Sequence, residues 1–154
     1  MNMFVEAELS LPLAFDAARQ ALDDAMADGG LVAESRRALD DGLVFVMPVG
    51  PRGSRKPAQE VVVRLLPGRL VGPIFIVPLR WELVASAGRI FPALDANLEL
   101  VAVDHLTSRL SITGRYEPPL GRLGIVIDRA GMSKVASATM NALLRRISAR
   151  LLGA

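Results

Sequence analysis

Over the first ten residues apolar and polar side chains trade places at every step, with Val5, Ala7 and Leu9 set against Glu6, Glu8 and Ser10. A period of two puts alternate residues on opposite faces of an extended chain, so this stretch is a half-buried strand with its acids in water. The period then changes. Pro12 stands where a helix can begin, and Phe15, Ala18, Leu22, Ala25 and Met26 recur at helical spacing until Gly29-Gly30 stops them, which predicts a first helix of about four turns. From Leu31 to Asp41 the pattern is mixed, with Arg36-Arg37 and Asp40-Asp41, and reads as a connection, either a short helix or a loop. Leu43 to Val49 is apolar and β-branched enough for a strand. Gly50 to Pro57 is a mobile turn, and residues 59–66 complete a hairpin.

Pro67-Gly68 marks the next turn. Arg69 to Ser86 is too long and too interrupted by proline to be one flat strand, so Gly72-Pro73 and Pro78 mark bends or an edge. Beyond Pro78, Leu79, Trp81 and Leu83 alternate with Arg80 and Glu82, which turns the indole to the apolar side. After Ala87-Gly88, the residues Leu94, Ala96, Leu98 and Leu100 alternate with Asp95, Asn97 and Glu99. Asp104 to Ser108 turns the chain, and Leu110, Ile112 and Tyr116 alternate with Arg109, Ser111, Thr113 and Arg115 up to Pro118-Pro119. The last segment carries a stripe at 120, 123, 127, 132, 135, 136, 139, 140, 143, 147 and 151, apolar but for Thr139. That is one amphipathic helix, with an interruption expected near Gly131. The whole reads as a curved sheet closing on a long C-terminal helix, with Pro118-Pro119 as the corner that aims it.

Length and composition narrow the classes. The 154 residues suffice for a single domain with a proper core. Hydrophobic residues make up 51% of the chain and the mean hydropathy is +0.36, a surplus that has to line a cavity, an interface or a membrane contact. No apolar run approaches the roughly 20 residues of a membrane span, so no transmembrane segment is expected. Acids at Glu6 and Glu8 stand where a secretory signal carries bases, and cysteine is absent, so a cytoplasmic protein without disulfides or thiolate chemistry is expected. The net charge of +2 is unevenly spread. Nine acids face three arginines over residues 1–48, and six bases face Asp128 over residues 122–154. Helix ends and solubility explain this better than nucleic acid does, since Arg145, Arg146 and Arg150 sit at the negative end of a helix dipole.

The order of strand, helix, about six antiparallel strands and a long final helix is that of the helix-grip fold, and the chain resembles the SRPBCC superfamily of START-like and polyketide-cyclase-like proteins. The residues that carry the resemblance are Pro78-Leu79-Arg80-Trp81-Glu82, Phe91-Pro92 with its following strand, and Gly114 to Gly121 leading through Asp128-Arg129 into the helix. Together they are similar to a bacterial subgroup of small stand-alone domains. The resemblance implies an α+β fold, with a curved antiparallel sheet of about six to seven strands wrapped around the C-terminal helix. It also implies a deep cavity between sheet and helix suited to an apolar small molecule. Fold alone does not set activity, and the metal ligands of the superfamily's oxygenase branch are missing here.

Candidate chemistry is sparse. His105 is the only histidine, it lies in a turn beside Asp104, and neither a metal site nor a Ser-His-acid triad can be assembled around it. Gly50 to Ser54 lacks the Gly-Lys-Ser/Thr ending of a phosphate loop and precedes a strand, so it is a hairpin loop placed to gate the cavity. No cofactor is implied. The seven aromatics are mostly inward by parity, which does not make a nucleic-acid surface. A cyclase- or dehydratase-like enzyme would draw on Tyr116, Arg80, Glu82 or Asp95, but parity puts the last three on the wet face, in cross-strand ion pairs. The leading expectation is therefore binding of a hydrophobic or amphipathic small molecule, lipid or polyketide-like. Its expected lining is Phe45, Met47, Val61, Val63, Trp81, Leu83, Leu98, Tyr116, Met132, Val135, Ala136 and Met140, with residues 132–140 of the helix nearest the guest. The segment 71–79 also reads as an exposed apolar edge, suited to a homodimer contact or a membrane-touching rim.

Overall fold

The computed structural model describes residues 2–43, 60–84, 88, 90–118 and 127–153. Its elements run β1 (Met3–Leu11), α1 (Phe15–Ala27), α2 (Gly30–Leu43), β2 (Glu60–Leu65), β3 (Arg69–Val71), β4 (Ile74–Val84), β5 (Ile90–Ala102), β6 (Ser108–Tyr116) and α3 (Arg129–Leu151). The strands form one antiparallel sheet in the order β1-β6-β5-β4-β2, with β3 pairing β4 beyond the end of β2. The long α3 lies on the concave face, packed against α2, β1 and β6, while α1 reaches β5 and α2 reaches β2. This is the helix-grip architecture: an α+β fold whose curved sheet holds its C-terminal helix.

Alternation along each strand decides what enters the core. On β4, Phe75, Val77, Leu79, Trp81 and Leu83 are buried. On β5 the same holds for Leu94, Ala96, Leu98 and Leu100, and on β6 for Leu110, Ile112 and Tyr116. The pairing register is broken once. Trp81 faces Leu94 and Glu82 faces Pro92, so Ala93 is the extra residue of a β-bulge, the device that bends a strand and increases its twist. Gly114 serves the same curvature. A Cβ there would lie 2.3 Å from the Asp95 carbonyl and 2.4 Å from Ala96 Cα, so only glycine lets β5 and β6 approach this closely.

Arg69 to Ser86 resolves into a hairpin. Gly72 takes φ +60° at the first central position of the two-residue turn Gly72-Pro73, a conformation that favours glycine, and it joins Val71 to its partner Ile74. Pro78, expected at a bend or an edge, sits mid-strand opposite Asn97. The site tolerates it because its carbonyl accepts from Leu66 N at 3.1 Å, on the side where β2 has ended and β3 has not begun. A missing N–H there breaks no ladder. The 71–79 segment is therefore not a sheet edge as expected. Ile74 to Leu79 lies between β5 and the β2/β3 pair, and the exposed aliphatics nearby are Leu66, Leu70 and Val71.

Of the two forms expected for residues 31–41, short helix or loop, the structure has the helix: they are most of α2. Asp28 Oδ1 accepts from Gly30 N at 2.7 Å to hold its first turn, just after Gly29 turns the chain at φ +79°. Gly131 does not interrupt α3. It stands in the first turn, and its N–H donates to Asp128 Oδ1 at 2.8 Å, which makes Asp128 the N-cap. The expected strand at 43–49 and the loop at 50–57 fall mainly or wholly outside the described residues.

The uneven charge is used inside the molecule. Glu34 of α2, only 7% exposed, receives Arg150 of α3 at 3.0 Å, Arg37 at 3.5 Å and Arg146 at 3.7 Å. Asp41 takes Arg146 at 2.7 Å, and that hydrogen bond holds the guanidinium above its ordinary value. Acids of the N-terminal third thus clamp arginines of the last helix.

Candidate functional site

Cross-strand register assembles the site row by row. Val63, Trp81, Leu94 and Tyr116 are successive partners across β2, β4, β5 and β6, so their side chains stand side by side on the concave face. Val61 faces Leu83 in the row toward the β4 end, and Leu98 lies between Val77 and Ile112 further along. Between them runs a row of low relief, Leu79, Ala96, Gly114 and Val5, in which Ala96 and Gly114 raise almost no side chain above the sheet. From the opposite side α3 buries Val135, Ala136, Thr139 and Met140, and Met132 packs half-buried against the same core.

Ten of the twelve expected lining residues therefore belong to this one interior: Val61, Val63, Trp81, Leu83, Leu98, Tyr116, Met132, Val135, Ala136 and Met140. Phe45 and Met47 lie outside the described residues. Leu94, Ala96, Gly114 and Thr139 complete the arrangement without having been singled out beforehand. Leu94, Ala96 and Gly114 carry no chemistry that marks them, and Thr139 reads from sequence as one more member of the helix stripe.

Three buried side-chain polar atoms lack a hydrogen-bond partner among the described residues, Ser35 Oγ on α2 and, on the concave face of the sheet, Trp81 Nε1 and Tyr116 Oη. Trp81 is 1% exposed and Tyr116 0%, their rings meet edge to face with centroids 5.7 Å apart, and neither Trp81 Nε1 nor Tyr116 Oη has a hydrogen-bond partner among the described residues. Thr139, whose hydroxyl donates to the Val135 carbonyl at 2.7 Å, lies close enough to the phenol to temper its titration, and its oxygen keeps lone pairs of its own. Burial pushes the phenol well above its ordinary value of 10.0, so at neutral pH it stays a protonated donor. Buried polar groups are nearly always paired, and an amphipathic ring in an apolar setting normally finds a partner for its polar tip.

No family model matches the chain, and no curated protein matches it. Among solved structures it is similar over 97% of its length to the Zhui aromatase/cyclase from Streptomyces sp. R1128, with 96% of that chain covered, 12% identity and a TM-score of 0.38. It is similar over the full length of both chains to Ara h 8.0201, at 11% identity and a TM-score of 0.42. Norcoclaurine synthase from Thalictrum flavum aligns over 94% of this chain and 96% of its own, at 9% identity and a TM-score of 0.34. Likeness at this level says nothing about chemistry, which rests on this chain's own side chains.

Those side chains leave the interior uncharged. Among the described residues Tyr116 is the one titratable group on the concave face. Arg80, Glu82 and Asp95 stand on the outer face, where Arg80 pairs with Asp95 at 3.5 Å and Arg64 pairs with Glu82. His105 lies exposed in the β5–β6 turn, beside Asp104, whose carboxylate accepts the backbone N–H groups of Leu106 and Thr107. No cluster of three or more metal-ligating side chains occurs among the described residues, and none of their helices is long and apolar enough to cross a membrane. The concave face can donate hydrogen bonds and exclude water. It offers no acid–base pair.

Proposed function

We propose that this chain binds a hydrophobic or amphipathic small molecule, lipid or polyketide-like, between the concave face of the sheet and α3, and does so without catalysis, as a cytoplasmic, bacterial stand-alone member of the SRPBCC superfamily. The observation that carries the proposal is the pair of buried donors, Trp81 Nε1 and Tyr116 Oη, in one cross-strand row and without a hydrogen-bond partner among the described residues. Leaving a buried polar group unmet costs about 1–3 kcal/mol, so two together call for an occupant that meets them. The surrounding side chains are aliphatic or aromatic, and burial of apolar area supplies the affinity, about 25 cal/mol for each Å² removed from water. A cyclase- or dehydratase-like reaction in the same space needs a second inward ionisable group beside Tyr116. Separately, a homodimer contact through residues 71–79 is a second reading, with Val71 exposed at its start; a solution mass unchanged by charging Ile74 or Ile76 would remove it.

Trp81 is the only tryptophan, so its emission reports on this site alone. Titration with the neutral dye Nile red is expected to quench Trp81 emission by energy transfer, saturating at one dye per chain, with a blue-shifted dye spectrum. A linear, non-saturating response would sink the proposal.

A further inference from the structure

The two donors also restrict what the guest can be. An indole N–H only donates; it has no acceptor to offer. The Thr139 proton already goes to the Val135 carbonyl, and the phenol of Tyr116 is protonated at neutral pH, burial only raising its titration further. Two unplaced protons, on Trp81 Nε1 and Tyr116 Oη, thus stand in an apolar wall, with the phenol and Thr139 oxygens keeping lone pairs. A hydrocarbon would leave both unmet. A carboxylate would satisfy them but would bring a full negative charge to the Trp81–Tyr116 row, where the described residues place no cation; the Arg19 guanidinium meets the concave face at Phe75, six residues away along β4. Burying an unpaired ion costs far more than two hydrogen bonds return. An alcohol takes both protons only by handing its own to the phenol or Thr139 oxygen. A carbonyl oxygen offers two lone pairs, carries no charge and brings no proton.

We infer, resting on the proposed function, that the guest is a neutral, carbonyl-bearing apolar compound whose oxygen or pair of oxygens accepts from Trp81 Nε1–H and Tyr116 Oη–H. The bulge at Ala93 supports this by bending β5 next to Leu94, the residue between the two rings, while the low row of Ala96 and Gly114 beside it leaves the least side-chain bulk above the sheet. Position along the sheet therefore orients the guest: its oxygenated end belongs at the Trp81–Tyr116 row, and its hydrocarbon body along the Leu79–Ala96–Gly114 row.

Fluorenone and fluorene share one carbon frame and differ by the carbonyl, so they isolate it. Displacement of Nile red is expected to show fluorenone binding at least about tenfold tighter than fluorene, the ratio that one net hydrogen bond supplies. Tyr116→Phe is expected to weaken fluorenone by about tenfold and leave fluorene unchanged. Fluorene-2-carboxylate is expected to bind more weakly than either. The infrared carbonyl stretch of bound fluorenone gives a reading independent of affinity: it is expected to lie red-shifted from its position in a non-donor solvent, with part of that shift lost in Tyr116→Phe and part in Trp81→Phe. Equal affinity for the two frames together with an unshifted carbonyl band would overturn the carbonyl assignment while dye binding, and the proposed function with it, still stands. Tighter binding of the carboxylate would likewise overturn it. Loss of dye binding in the unmodified protein would instead remove the proposed function itself.

Discussion

Tyr116 concentrates the account at the scale of one residue. Its ring fills the core at the end of β6, and its hydroxyl is the part without a partner. Tyr116→Phe removes only that oxygen, so the ligand-free protein is expected to gain about 1 kcal/mol, because an unmet buried hydroxyl destabilises the fold. Urea unfolding of the two proteins measures the difference, and a clear loss of stability would mean the hydroxyl is bonded. The same residue sets an alkaline limit. Its pKa is raised on folding, so the stability tied to it is complete below the unfolded value near 10 and is lost as pH climbs toward the higher folded value. Tyr116 is the only tyrosine, so absorbance at 295 nm follows it alone. No tyrosinate should appear past pH 10 until the chain unfolds, and Tyr116→Phe should flatten the alkaline fall in stability. Parity along β6 was enough to turn this side chain inward from sequence. Its lack of a partner among the described residues was not legible, because that depends on where the elements packed over β6 place their acceptors.

Among the elements, the described strands and α3 were legible and α2 only as one of two alternatives, for a physical reason. The α2 face toward α3 takes Leu31, Ala38 and Leu39, but also Glu34, Ser35 and Gly42, so the apolar stripe is broken by residues whose place is set by the partner helix. Glu34 can be buried only because Arg146 and Arg150 come to it, and Gly42 is small because a Cβ there would fall 1.8 Å from Thr139 Oγ1. Glu34→Ala is therefore expected to destabilise by about 2 kcal/mol, below the range for a fully buried pair since the arginines remain partly in water. A double-mutant cycle with Arg150→Ala would separate their coupling from simple loss of packing. Gly42→Ala is expected to cost about 2 kcal/mol through overpacking of α2 on α3, read as a lower thermal midpoint. Pro78 shows the opposite case: a residue that argues against a central strand is admitted because its missing N–H points into the gap between β2 and β3.

For the molecule as a whole, the charge asymmetry of the sequence became the clamp between α2 and α3, and the apolar surplus became one interior shared by sheet and helices. That interior was largely legible because period-two alternation assigns faces without any knowledge of the neighbours. What sequence could not supply was the row that juxtaposes Trp81 and Tyr116, since register follows from the bulge at Ala93 and the close approach at Gly114. The most direct test of the central claim reads the indole N–H itself. With a single tryptophan, a nitrogen–proton correlation spectrum shows one indole signal. This signal is expected to lie upfield in the free protein, as an unbonded N–H does, and to move downfield on saturation with fluorenone but not with fluorene. An indole signal already downfield in the free protein, or one that fluorenone leaves in place, would contradict it.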